Sequence, residues 1–244
     1  MSNLTETPTP QGLDDPEPKC KLCNDLGYII TVVDGIEYFK ECTCRELEKA
    51  EKRLKASGIS DEFLKKGFKN FDDRNLPLLQ KAKNIALDYC KRFDEIKNTR
   101  NNSIMFMGQV GSGKTHLSMA VCNAIMEHYK TAVLYMPYRE AITKIKQTIG
   151  DEINYQREMS RYKNVSVLMI DDLLKGKSTE ADVNILFDII NYRYINNKPM
   201  IISTEKLLNE LLDFDEGIMS RVAEMAKGHW IEITGREYNY RIYA

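Results

Sequence analysis

The chain has 244 residues, 43% of them hydrophobic and 29% charged, which suits one full domain and a small module at roughly 100 to 200 residues per domain. Thirty-five basic residues stand against 36 acidic ones. That excludes a wholly basic nucleic-acid coat and leaves room for a local basic groove. No apolar run approaches the roughly 18 residues of a membrane span, and the amino terminus lacks a signal-peptide core. The expected location is therefore a reducing cytoplasm, where the six cysteines are poor candidates for structural disulfides.

Residues 1–19 hold four of the seven prolines and almost nothing large and apolar, and are expected to be a disordered leader. Residues 20–56 form the next unit. Within it YIITVV and IEYFKE are β-prone runs joined by Asp34-Gly35, a hairpin turn signal. Cys20 and Cys23 precede the hairpin, and Cys42 and Cys44 follow it. Two close pairs of soft ligands can meet around one tetrahedral zinc ion only if the linking chain folds back, which the hairpin provides. An iron–sulfur cluster uses the same four thiolates, and four unlinked thiols are the plainer alternative. A site closed by four cysteines has no open position for catalysis, so its role is structural. RELEKAEKRLKA at 45–56 reads as a charged connector helix stopped at Gly58.

Residues 57–244 alternate strands with helices. Helices are expected near 77–93, 113–129, 138–149, 179–195, 206–212 and 216–226. Strands are expected at 104–107, 132–136, 165–170, 200–203 and 230–233. Alternation of this kind predicts a mainly parallel α/β sheet with helices on both faces. Cys90 and Cys122 fall on helices and suit core packing.

Between the first of these strands and its helix lies Gly108-Gln109-Val110-Gly111-Ser112-Gly113-Lys114-Thr115, the full Walker A pattern. Its glycines let successive backbone N–H groups turn around phosphates at a helix start. Lys114 would reach the β- and γ-phosphates of ATP, and the Thr115 hydroxyl would ligate Mg2+. His116 completes the candidate nucleotide-binding stretch, although His116, His128 and His229 form no ligand set and suit structural roles. VSVLMI followed by Asp171-Asp172 fits Walker B, with Asp171 on magnesium and Asp172 orienting or deprotonating the attacking water. Ser203, Thr204 and Glu205 end a later strand, where a polar side chain could touch the γ-phosphate or the water; a simple helix cap explains them equally. Phe68 and Phe71 suit either the adenine pocket or the core.

The order of Walker A, Walker B with Asp-Asp, IISTE, GIMSRV and YNYR resembles the AAA+ ATPases of the DnaC/DnaI-type helicase-loader family, over roughly residues 57–244. SGISDEFLKKGFKNF resembles that family's entry to the ATPase domain. The resemblance puts Thr204 or Glu205 at the sensor-1 position, where many relatives carry Asn, and Asp172 where many AAA+ proteins carry Glu. The shorter arm would slow hydrolysis and suit a switch. It also implies that Arg221 is an arginine finger reaching a neighbour's ATP, with ATP-linked self-association, and that Arg241 is the sensor-2 arginine. Surface ion pairs are the alternative for both. The chain ends soon after Arg241, so no helical lid is expected. Lys144 and Lys146, with Arg139 before them, match a stretch lying near single-stranded DNA in relatives; a solvated helix face would also account for them. The four-cysteine module resembles the amino-terminal zinc module of DnaI-type loaders, which implies docking to a replicative hexameric helicase.

The function so implied is a phage or bacterial ATP-dependent helicase loader with ATP, Mg2+ and Zn2+ as cofactors. An IstB-type transposition ATPase, a P-loop small-molecule kinase and a non-hydrolysing helicase-binding adapter are the other readings. The cysteine module argues against the first. The downstream arginines argue against the second, and turnover would separate the third.

Overall fold

Runs such as VLMID and MIIST are apolar on both faces of an extended chain, so they are stable only as strands covered on two sides. The computed structural model describes residues 18, 20–33, 36–45, 48, 52 and 65–243, and divides into two compact units, Met1–Arg45 and Glu46–Ala244. The leader, the Asp34-Gly35 turn and most of the 45–56 connector lie outside the described residues.

In the first unit, β1 (Tyr28–Val33) pairs antiparallel with β2 (Ile36–Glu41), in register from Tyr28↔Glu41 to Val33↔Ile36. In the second, β3 (Ile104–Gly108), β4 (Val133–Pro137), β5 (Val167–Asp171), β6 (Met200–Thr204) and β7 (Trp230–Ile233) form one sheet in the order β4-β5-β6-β3-β7, with every pairing parallel.

The two-residue period of the strands sorts their side chains into two cores. Met105, Met107, Leu168, Ile170, Met200 and Ile202 face one core. It is covered by α3 (Tyr138–Gln147), α4 (Glu152–Asn164), α5 (Glu180–Ile195), α6 (Leu208–Phe214) and α7 (Glu216–Met225). Ile104, Phe106, Val167, Met169 and Ile201 face the other, under α1 (Pro77–Ile96) and α2 (Lys114–Tyr129). Pro77 opens α1 at its first position, and Leu79, Ala82, Ala86, Tyr89 and Phe93 make its buried stripe. A one-turn helix, α8 (Tyr240–Tyr243), follows β7.

The sequence reading passed over α4. Its buried residues are only Glu158, Met159 and Tyr162, too few for an apolar period. Its signal is at the ends: Asp151 caps the Asn154 N–H at 3.1 Å, and Arg161 and Lys163 complement the last turn. Arg193, fully buried at the end of α5, ties this region together. It donates to the carbonyls of Tyr162 and Val165 at 2.9 Å and of Pro199 at 2.6 Å, and these acceptors offset the cost of burying the guanidinium. Burial still pulls its pKa down to about 9. Among the described residues, no helix is long and apolar enough to cross a membrane.

Candidate functional site

The loop from β3 to α2 needs backbone that only glycine supplies readily. Gly108 has φ +106° and Gly113 φ +84°; a Cβ on the first would stand 2.3 Å from the Ile233 carbonyl oxygen, and on the second 2.7 Å from the Phe71 ring. The loop thus lies against β7 on one side and Phe71 on the other. It lines a cleft of about 350 Å³ together with Lys66, Asn70, Asp72, Tyr238, Tyr240 and Arg241.

Val110 to His116 all line this cleft. Lys114 is buried and donates to the Gly108 and Gln109 carbonyls at 2.8 and 2.7 Å. Burial lowers its pKa to about 8, against the opposing pull of Glu205, Asp172 and Asp171. His116 lines the cleft with its imidazole already engaged. Its Nε2 meets the Gly67 carbonyl at 3.0 Å and Asn70 Oδ1 at 3.1 Å, and its ring meets Phe71 edge-on at 5.2 Å. His116 therefore fastens the 67–71 segment to α2. Phe71 both lines the cleft and belongs to the α1/α2 core, against which Phe68 also packs.

Asp171 is the last residue of β5 and faces α2. Its Oδ1 accepts from Thr115 Oγ1 at 2.9 Å and from Ser203 Oγ, and its Oδ2 accepts from Tyr135 OH at 3.0 Å. Burial pushes its carboxyl pKa up, against the hydrogen bond from Ser203 and those from Thr115 and Tyr135. A buried carboxylate beside a Walker A hydroxyl is a hard-oxygen pair suited to Mg2+, which takes few protein ligands alongside substrate phosphates.

Strand parity decides which residue of IISTE meets Asp171. Ser203 shares the face of Ile201, whereas Thr204 is buried on the opposite side and donates to the Leu173 carbonyl at 2.8 Å. Glu205, one residue on, lines the cleft. Sequence reasoning named Ser203 only as part of a polar strand end and missed Tyr135. The signal for Tyr135 was a tyrosine at an alternate position of an apolar strand next to β5.

Three further predicted residues stand elsewhere. Arg221, on α7, does not line the cleft; it donates to the Gly217 carbonyl and lies over the rings of Phe187 and Tyr194, 5.7 and 5.6 Å from their centroids. Lys144 and Lys146 are each ion-paired to a neighbouring helix, Lys144 with Glu158 at 3.2 Å and Lys146 with Asp182 at 2.8 Å. These pairs reduce the positive charge that they offer to a phosphate.

In the hairpin unit the Sγ atoms of Cys20, Cys23, Cys42 and Cys44 all lie within 4.8 Å of one another. Cys20 and Cys42 are 3.8 Å apart and Cys23 and Cys44 3.4 Å. Four thiolates around zinc at about 2.3 Å stand about 3.8 Å apart, so this set fits. The turn that brings the first pair together uses left-handed Asn24, Asp25 and Gly27, and the Gly27 N–H reaches Cys23 Sγ at 3.3 Å. The backbone N–H of Cys23, then that of Leu22, holds the Cys20 thiol down to about 7. The Cys23 side chain, then burial, pushes Cys44 up to about 12. A cation bound among the four sulfurs would offset the effects that raise Cys44 and let all of them ionise. Cys90 and Cys122 are buried in the α1/α2 core.

A Walker A loop, a strand-end carboxylate held beside it and a five-stranded parallel sheet between helices define a P-loop nucleotide-binding domain of the AAA+ fold. The model of the bacterial DnaA ATPase domain matches residues 75–227, and the chain belongs to that family. It is 36% identical over 213 residues to the protein YqaM of Bacillus subtilis (strain 168), covering 84% of this chain and 67% of that one. It is 34% identical over 231 residues to the phage-like element PBSX protein XkdC of the same strain, covering 91% and 86%. Among solved structures, DnaI superposes with a TM-score of 0.59 at 21% identity, over 72% of this chain and 94% of that one. The DnaC helicase loader superposes with a TM-score of 0.57 at 21% identity, over 72% and 99%. The chain thus has the fold shared by these proteins.

Proposed function

We propose that this protein is an ATP-dependent loader that binds a replicative hexameric DNA helicase and places it on single-stranded DNA. The observation that carries the reading is the combination of an ATPase-family cleft, built on the fold of the DnaC loader, with a separate four-cysteine unit. The relationship to a phage-like element protein supports a phage or bacterial setting. In this reading residues 20–56 are the helicase-docking zinc module and residues 57–244 the ATPase domain.

The chemistry follows from the cleft. Lys114 and the loop N–H groups bind the phosphates, and Thr115 and Asp171 would hold Mg2+, which would offset phosphate negative charge during transfer. Asp172 takes a proton from water as the water oxygen bonds the γ-phosphorus. The bond from that phosphorus to the β–γ bridging oxygen breaks, and the oxygen leaves on ADP. Arg241, at the rim of the same cleft, contacts the nucleotide in cis. Arg221 stands off its own cleft and acts on the ATP of a neighbouring copy, which makes turnover depend on self-association. Lys144 and Lys146 contact DNA only when their carboxylate partners release them.

The test is the native mass of the protein mixed with the hexameric helicase of its host, with and without ATP. A defined complex that is lost with Cys20→Ser and weakened or locked with Lys114→Ala is expected. No complex in any nucleotide state sinks the loader reading and makes a transposase the next partner to test. A complex without turnover, unchanged in Asp172→Asn, would instead identify a non-hydrolysing adapter.

A further inference from the structure

At the end of Walker B the chain makes two left-handed residues, Asp172 at φ +54° and Leu174 at φ +58°. Neither is glycine, so the surrounding bonds must hold this conformation. The Asp172 N–H donates to Ser203 Oγ at 3.0 Å, the Leu173 N–H to the Ser203 carbonyl at 2.9 Å, and the Lys175 N–H to the Asp172 carbonyl at 3.0 Å. The tight turn brings the Lys175 side chain back over the end of β5. Its ammonium lies 2.7 Å from Asp172 Oδ2 and 3.0 Å from Glu205 Oε1.

All three residues line the nucleotide cleft with Lys114. One cation therefore links the residue after Asp171 to the residue just past the end of β6. A carboxylate oxygen engaged by an ammonium at this distance makes a charge-assisted hydrogen bond, about twice as strong as a neutral one. That oxygen must exchange this bond before it can accept a proton from water. The hydrogen bonds that Lys175 donates to Asp172 and then to Glu205 raise its pKa, so the bridging group remains a cation at neutral pH.

We propose that Lys175 is a positioning residue that restrains hydrolysis, binding Asp172 to Glu205 and so withholding the Asp172 carboxylate from the attacking water. The inference rests on reading Asp172 as the group that takes the water's proton. It gives this chain a second reason to turn over slowly, apart from the short arm of Asp172, and it assigns Glu205 the role of anchoring the restraint.

The experiment measures steady-state ATP turnover of the full chain for wild type, Lys175→Met, Lys175→Arg, Asp172→Asn and the double variant Lys175→Met/Asp172→Asn. Thermal melts and nucleotide binding are followed in parallel. Lys175→Met is expected to raise kcat by about two- to fivefold, the scale of a half-exposed ion pair lost from the ground state, with KM nearly unchanged. Lys175→Arg, which can still bridge two carboxylates, restores the restraint. The gain disappears in the double variant. A folded Lys175→Met protein with kcat unchanged or lowered overturns the restraint, and the Asp172 reading stands if Asp172→Asn alone loses turnover. A gain that survives in the double variant overturns both. Where wild-type turnover is too slow to measure, appearance of turnover in Lys175→Met supports the restraint, and its absence overturns it.

Discussion

Every residue of β3, β5 and β6 in the ATPase unit is buried. In the hairpin unit Ile30, Tyr38 and Phe39 face solvent, and the buried side chains among its described residues are Cys23 and Cys42. The sheet holds its shape because two layers of helices cover it, so stability is spread over many apolar contacts. Among its own described residues the hairpin unit has no such layer, and a two-stranded hairpin alone is marginal in water. What its sequence concentrates is ligand chemistry, so a single ion can supply what a core supplies in the larger unit. One chain thus carries two modes of stabilisation, and each should fail under conditions that spare the other.

The sharpest way to break this contrast is to remove the metal. Chelation, or Cys23→Ser, is expected to unfold the hairpin unit, since structural zinc contributes on the order of 10–16 kcal/mol to such modules. The melt of the ATPase unit should stay in place. Metal analysis finding no zinc in the purified protein, or a hairpin whose amide signals survive chelation, would end the comparison.

A smaller effect with the opposite selectivity is expected from Phe93→Ala. Phe93 is buried in the α1/α2 core and packs near Tyr89 and Tyr129. Its truncation should cost about 3–5 kcal/mol, read as a lower denaturation midpoint of the ATPase unit with zinc content unchanged. Loss of zinc in this variant would show that the two units do not stand independently.

The smallest effect is a pH dependence confined to the larger unit. His229 is buried edge-on to Tyr89, at 5.3 Å between ring centroids. Burial, and then the charge of Arg92, lowers its pKa. As pH falls below the unfolded value near 6.5, the unfolded chain takes up a proton that the folded chain refuses, so stability falls. Above that value the term is absent. Denaturation at pH 7 and pH 5.5 should show this loss in wild type and less of it in His229→Asn. Equal losses in both would remove His229 from the account.

The sequence alone determined what is local. The Walker A loop is legible because phosphate binding needs glycines, a lysine and a hydroxyl at fixed offsets in one turn, and the glycines at 108 and 113 carry the left-handed backbone such a loop requires. The cysteine pairs are legible because a tetrahedral thiolate site constrains ligand spacing. The order of strands and helices followed from apolar runs, and α4 escaped because it stands on caps and ion pairs in place of an apolar stripe.

Tertiary structure alone decided what meets at the site. Placing β5 between β4 and β6 brings Tyr135 and Ser203 onto Asp171, although they lie 36 and 32 residues away in the chain. The alternation of side chains along β6 turns Ser203 toward that carboxylate and Thr204 away from it. The pairing of Lys175 with Glu205 likewise spans two strand ends. Strand order sets such contacts, and strand order is fixed by packing two apolar faces under separate helix layers, a property of the whole sheet that no single segment encodes.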